Sequence, residues 1–386
     1  MILNSIKYSE FANTPRAWHL DEFIAGPINL VVGKNAAGKT RTISLIFGLA
    51  NLVSGDINFV YVDGSYEAHF TNNTDLIDYY LQYENGVITA EKFILNGVAL
   101  LDRHKGGIGS IYAKEIGEQI KFQAPDNQLA CVSRRDDIQH PFFQPLYEWG
   151  KSTLLYNFGS PLGKDAIMSS SVTENVDQYL NLKDTNNVIM IYKKGVAKYG
   201  PDYTASIITS MHDIGYEIED IGTDINPNLR YIGPPLAVNL PRPVCLFAKE
   251  KDLGERIYQT DISQGMFRCL SLFIQVYYAQ MSSTPHLLII DDIGEGLDFE
   301  RSTALITILI GIAKKSAVQL IMSSNDRFVM NSVPLMYWSI IQRIGGHCKV
   351  YNNKNSKKLF DKFEYTGLSN FDFFATDFTS QDMSDK

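Results

Sequence analysis

Eight consecutive residues carry the clearest chemistry in the sequence: Gly33-Lys34-Asn35-Ala36-Ala37-Gly38-Lys39-Thr40. They fit the phosphate-loop pattern G-x-x-x-x-G-K-[ST] at every position. Such a loop wraps a phosphate chain in backbone N–H groups at close range, so Gly33 and Gly38 fall where a Cβ would block the approach or forbid the backbone angles. Lys39 would reach the β- and γ-phosphates. The Thr40 hydroxyl would be one magnesium ligand in an oxygen shell completed by phosphates, water and a carboxylate. Arg41 follows directly and joins the same candidate nucleotide-binding set.

Far along the chain, His286-Leu287-Leu288-Ile289-Ile290 runs into Asp291-Asp292. An apolar strand that ends in two carboxylates beside a phosphate loop supplies one to hold magnesium, directly or through water. The second orients and polarises the attacking water. Asp291 fits the first duty and Asp292 the second.

The elements that must position these residues are written as patterns. Ile28, Leu30, Val31 and Val32 read as a buried strand ahead of the loop. Ile43, Ile46, Phe47 and Leu49 recur at helical spacing behind it, which puts a helix N-terminus under the phosphates. Before that strand, Ile2, Ile6, Tyr8 and Phe11 alternate in strand fashion, turn through Asn13-Thr14-Pro15 and return by Trp18-His19-Leu20. From Phe59 to Tyr112, short aromatic and β-branched runs are broken by Asp-Gly, Asn-Gly and Gly-Gly, the punctuation of hairpins. An antiparallel β lobe inserted after the phosphate-loop helix is expected there. From Asn127 to Gly222, short helical patterns mix with polar loops such as SSSVTENVDQ and LKDTNN. A Pro-rich connector, IGPPLAVNLPRP, leads to the strand-like VCLFAKEK. The closing FDFFATDFTSQDMSDK alternates aromatic and acidic residues and reads as a fraying tail.

Bulk numbers exclude several classes. With 386 residues, 45% hydrophobic and 20% charged, the chain is an ordinary soluble globule with ample material for a core. A net charge of −8 gives no overall drive toward nucleic acid or anionic membrane, although a local basic patch stays open. Cys131, Cys245, Cys269 and Cys348 are scattered, with no C-x-x-C pair and no signal peptide ahead of them. Reduced cytoplasmic thiols are expected, not a disulfide framework or a zinc site. The apolar run from Ala304 to Ala313 is too short to span a bilayer.

Between connector and carboxylate strand stands Asp261-Ile262-Ser263-Gln264-Gly265-Met266-Phe267-Arg268, followed by the apolar helix CLSLFIQVYYAQM. Ser263 is a good N-cap and Gly265 lets backbone N–H groups approach an anion. Gly294-Glu295-Gly296-Leu297-Asp298 follows the paired carboxylates, and the strand Val318-Gln319-Leu320-Ile321-Met322 ends in Ser323-Ser324-Asn325-Asp326. In this order the chain resembles the ABC-type P-loop ATPases, and the SMC, RecF and OLD branch more than the transporters. It is also similar to the AAA-family ATP-binding proteins of bacterial defence and toxin–antitoxin-like systems. The likeness runs from about Ile2 to Trp338.

The resemblance implies an α/β P-loop NTPase of ABC ATPase-head type: a mixed central sheet, an inserted antiparallel β lobe, a helical insertion and no long coiled coil. It divides the chain into 1–126 (phosphate loop and β lobe), 127–222 (helical and irregular insertion), 223–365 (signature helix, Walker B strand, D-loop, switch strand) and 366–386 (tail). It makes ATP and Mg2+ the cofactors and a homodimer or higher homo-oligomer the working form. Ser263, Gln264 and Gly265 of one copy would grip the γ-phosphate of nucleotide held by another. Asp298 takes the D-loop position and Asn325 that of the switch histidine, so Lys39, Asp292 and Asn325 form the catalytic set.

Departures from the family pattern set the expected rate. The second carboxylate is usually Glu and here is Asp292, one methylene shorter. Asn325 hydrogen-bonds a γ-phosphate but takes up no proton at neutral pH. Both argue for slow hydrolysis and for ATP as a switch. Gln123 and Gln128 are the candidates for the Q-loop, and Arg16 with the Asn13-Thr14 turn for nucleotide contact. Two uses follow: a cytoplasmic sensor that controls a separate effector such as a nuclease or toxin in an antiviral defence-like system, or a DNA-maintenance clamp. A transporter motor ranks third. The chain ends soon after the switch strand, which leaves no room for an appended nuclease and points to an effector on another polypeptide.

Overall fold

A computed structural model describes residues 1–57, 62–169, 181–229, 242–282, 286–364 and 368–375. The strands are β1 Ile2–Glu10, β2 Trp18–Ile24, β3 Ile28–Val32, β4 Asp63–Asn72, β5 Asp75–Glu84, β6 Val87–Leu95, β7 Val98–His104, β8 Ile108–Ala113, β9 Glu118–Gln123, β10 Thr153–Asn157, β11 Met168–Ser169, β12 Ile218–Ile225, β13 Pro243–Glu250, β14 Arg256–Tyr258, β15 His286–Asp291, β16 Val318–Ser323, β17 Trp338–Ile344 and β18 His347–Asn352. The helices are α1 Lys39–Val53, α2 Ala130–Ser133, α3 Gln144–Ser152, α4 Val188–Tyr199, α5 Pro201–Asp213, α6 Gln264–Gln280, α7 Phe299–Lys315, α8 Arg327–Ser332, α9 Lys357–Glu364 and α10 Asn370–Ala375. Most of the connector and the SSSVTENVDQ loop fall outside the described residues.

The chain divides into two compact units. The first comprises Met1–Thr153, Pro285–Ile289 and Gln319–Lys386, the second Leu154–Thr284 and Ile290–Val318. The first is built on one mixed sheet in the spatial order β15-β16-β3-β17-β18-β2-β1-β4-β5-β6-β7-β8-β9. Its centre is β3, whose five residues are all buried, between β16 and β17, both parallel to it. A strand covered on both faces must read as a continuous apolar run, and Ile28-Asn29-Leu30-Val31-Val32 nearly does. Asn29 is the polar exception, and its side-chain amide donates to Gly26 O at 2.9 Å and Leu320 O at 3.2 Å. From β1 outward every pairing is antiparallel. The Asn85-Gly86 and Asn96-Gly97 pairs turn this run with positive φ at all four residues, the backbone that two-residue hairpins require.

Beneath those strands, Glu91 and Arg103 form an ion pair at 3.2 Å with both side chains fully buried. Such a pair is costly to bury and is supported by further hydrogen bonds, although Arg103 Nε has none. Here Glu91 accepts the N–H groups of Ala130 and Cys131, while Arg103 donates to Gln128 O and Pro125 O. This fastens the segment before α3 to the sheet.

In the second unit α4 and α5 pack on α6, beside a small sheet in the order β11-β13-β12 with β14 against β13. Gln259 is fully buried, and its amide nitrogen donates to Gly163 O, Lys164 O and Ala166 O while its oxygen accepts the Leu246 N–H. The start of the tail departs from the fraying expectation. Its residues 370–375 form α10, because Phe373 buries its ring against Phe360 and Phe363, at 5.2 and 4.5 Å between centroids. Residues 376–386 lie outside the described residues.

Candidate functional site

In the first unit the phosphate loop spans the end of β3 and the start of α1. A Cβ on Gly33 would lie 2.8 Å from Ile341 O of β17, so close packing of two parallel strands demands glycine there. Gly38 has φ +108, a conformation side chains resist, and a Cβ on it would meet Cys348 Sγ at 3.2 Å. Ala36 also has positive φ, +62. Gly38 begins α1 with no side-chain cap, and the first N–H groups of a helix have no partner within it. Lys39 is buried and its Nζ donates to Gly33 O at 2.9 Å, so the ammonium lies across the loop; Lys34, Asn35, Ala36 and Thr40 are exposed.

The parallel register of β16 on β3, Leu320 against Ile28 through Ser323 against Val31, carries the chain after β16 to the loop. Asn325 Nδ2 there donates to Asn35 Oδ1 at 3.1 Å. Asp326 caps α8 by accepting from the N–H groups of Phe328 and Val329 at 2.7 and 3.0 Å. Asn325 is thus held between a buried strand and a capped helix, against the loop.

On its other flank the loop meets residues that the motifs did not flag. Cys348 Sγ approaches Ala37 O at 3.4 Å, and burial pushes this thiol up, so it stays uncharged at neutral pH. A cavity of about 420 Å3 is lined by Lys34–Ala37, Arg343, Phe373 and Phe374. Arg41 pairs with Glu10 and its guanidinium lies 4.2 Å from the Trp18 ring centre. Arg16 stacks at 4.2 Å on Phe11, and its N–H donates to Thr14 Oγ1 at 3.2 Å. Gln123 and Gln128 are exposed.

The remaining candidates belong to the second unit. Asp291 is 5% exposed, and its carbonyl accepts the Phe158 N–H at 2.9 Å. Asp292 sits at φ +52, in the left-handed turn that closes the strand. Ser263 caps α6, its hydroxyl accepting the Met266 N–H at 3.4 Å; it is exposed, with Gln264 and Gly265 half-buried. A Cβ on Gly265 would lie 3.3 Å from Leu297 and 3.4 Å from Gly296 O, so the start of α6 adjoins the turn before α7. Arg268, one turn into α6, donates to Gly159 O, Ser160 O and Glu295 O, fixing that turn from below. Asp298 caps α7 by accepting the Arg301 N–H at 2.9 Å and pairs with its guanidinium, which lies 4.6 Å from the Tyr216 ring centre. The Arg301 N–H bond holds the Asp298 carboxyl below the usual range.

No family model matches the chain, and no curated protein matches it. Solved structures do share its fold. The Smc head bound to the C-winged helix domain of ScpA aligns with TM-score 0.56 at 11% identity, covering 93% of this chain and 100% of that one. An Smc head domain with an extended coiled coil, bound to the C-terminal domain of ScpA and derived from Pyrococcus furiosus, gives TM-score 0.51 at 11% identity over 94% and 99%. The fold is therefore that of SMC head domains, on a large mixed sheet. Among the described residues no helix is long and apolar enough to cross a membrane.

Proposed function

We propose that this chain is an ABC-type ATPase of the SMC, RecF and OLD branch that binds ATP with Mg2+, hydrolyses it slowly and uses nucleotide-dependent dimerisation as a switch. The observation that carries the reading is the uncapped start of α1 at Gly38, with Lys39 folded across the loop and Asn325 hydrogen-bonded to Asn35. In this reading the residues from Gly33 to Arg41 cradle the phosphates. Thr40 and Asp291 hold the metal, which supplies charge neutralisation at the β- and γ-oxygens. Asp292 orients water, while Ser263, Gln264 and Gly265 of a second copy, with Asp298 behind them, cover the γ-phosphate. A ligand held by one copy and gripped more tightly by the closed form links nucleotide to dimerisation, and a short base with a non-titrating switch residue lets that form persist.

The switch would control a separate effector, such as a nuclease or toxin, in a defence-like system. The Smc heads of like fold are bound to domains of ScpA, a separate polypeptide, a precedent for acting through another chain. A second reading, a DNA-maintenance clamp, is favoured by the same Smc likeness and opposed by the net charge of −8. DNA affinity falling steeply with salt would select the clamp, whereas stoichiometric co-purification with a neighbouring gene's product would select the effector switch.

Equilibrium binding of MgATP tests the site itself. A charge-assisted hydrogen bond contributes about 1.5–3 kcal/mol, so Lys39→Ala should weaken binding by about tenfold or more. Asp292→Asn should keep affinity and lower turnover by about a hundredfold. Parental hydrolysis by Asp292→Asn would remove the water-orienting role, and unchanged affinity in Lys39→Ala would remove the nucleotide site.

A further inference from the structure

A second group of side chains able to hold a cation lies on the first unit's sheet, outside the phosphate loop. Strands β2 and β18 run parallel, with His347 against His19 and Cys348 against Leu20. Side chains alternate along a strand, so His19 and Asp21 emerge on one face of β2, and the register sets His347 beside them. Asp21 Oδ1 lies 2.6 Å from His347 Nε2 and 3.2 Å from His19 Nε2. The imidazole centroids are 5.0 Å apart at 64° between planes. One ligand atom from each of the three residues falls within 4.8 Å of the others.

We propose that His19, Asp21 and His347 bind one divalent transition-metal ion of the zinc class. Two imidazoles and a carboxylate are the donor set such ions prefer, whereas Mg2+ keeps to oxygen and water. Tetrahedral Zn2+, at about 2.0–2.1 Å from its ligands, sets ligand atoms about 3.3 Å apart. The contacts of 2.6 and 3.2 Å lie close to that value, and all three ligand atoms fall within 4.8 Å of one another. Here His347 Nε2 hydrogen-bonds Asp21 Oδ1 and His19 Nε2 lies against the same oxygen, so a single cation between them would engage all three groups at once. The side chains are 39–48% exposed, and both imidazoles line a cavity of about 630 Å3, which leaves room for water in the open coordination position.

The ion would clasp residues 326 positions apart in sequence. It would also act next to the phosphate loop, because Cys348, the neighbour of His347 on the opposite face of β18, is the residue whose thiol touches Ala37 O. The site is distinct from the magnesium shell proposed for nucleotide and does not depend on it.

Calorimetric titration of chelator-treated, nucleotide-free protein with Zn2+ tests the assignment. Wild type should take up one equivalent, excess Mg2+ should not displace it, and Tm should rise with Zn2+. His19→Ala and His347→Ala should each weaken binding about tenfold or more, and the double variant should abolish the Tm rise. Both side chains are exposed, so equal circular dichroism without metal checks that the variants fold. Co2+ in place of Zn2+ should give visible ligand-field absorption in wild type that the double variant lacks. Failure of wild type to bind Zn2+, or equal affinity in the double variant, would overturn the proposal, and neither result bears on ATP.

Discussion

Helix α1 begins at Gly38 with no side chain capping it, whereas α6 and α7 begin at Ser263 and Asp298, whose oxygens accept the N–H groups of Met266 and Arg301 at 3.4 and 2.9 Å. The three starts form a series. The first has no side-chain cap, the second holds its own N–H loosely, and the third is satisfied by a carboxylate that a guanidinium also pairs. An anion approaching α1 displaces no side-chain cap. At α6 it competes with one long hydrogen bond, and at α7 with a charged one. Under the proposed switch, the first unit's helix start would be the primary phosphate site and the second unit's α6 start one that engages a phosphate only when something else delivers it. This is the division between cis and trans contacts that the proposed switch needs.

Substitutions at the three caps can break that ranking. Gly38→Ala should have the largest effect. Placing a side chain in left-handed backbone costs about 1–2 kcal/mol, and the new Cβ would meet Cys348 Sγ at 3.2 Å. Tm should fall and MgATP affinity should drop by about tenfold; unchanged affinity would show that the α1 start is not the phosphate site. Asp298→Ala should come next, costing about 1 kcal/mol at pH 7 as a lost cap. Its carboxyl is held low in the folded chain, so the contribution is present above the unfolded value of about 3.9 and lost as pH falls through the folded value. Urea denaturation should show the two proteins differing at pH 7 and converging in acid; a gap that widened in acid would contradict the cap. Ser263→Ala should be smallest, about 0.5 kcal/mol or less, because a 3.4 Å contact is a weak bond. A cost above that of Asp298→Ala would invert the series.

Local pattern made part of this legible. The strand–loop–helix around Gly33–Thr40 was readable because a strand buried on both faces is nearly all apolar, and because the loop's glycines answer backbone needs that few other residues meet. Ser263 was readable as a cap from its type. Asn325 could be placed by motif order alone, whereas its hydrogen bond to Asn35 follows from the β16–β3 register, which no local pattern encodes. The same holds for Arg268 beneath the turn before α7, for Cys348 under the loop, and for His19, Asp21 and His347. Each joins segments distant in sequence, so the side chains acquire meaning only when strand neighbours are known. The start of the tail reads differently for another reason: its acidic residues suggest fraying, but one ring, Phe373, packs α10.

The most direct test is mass in solution, by light scattering, with the phosphate loop shown to be loaded with ATP under hydrolysis-limiting conditions. The account predicts a doubling of mass for the wild-type chain, and a Ser263→Arg variant whose phosphate loop still fills with ATP yet which stays at the single-chain mass. A wild-type chain that remains single while saturated with ATP, or a Ser263→Arg chain that doubles as wild type does, would contradict it.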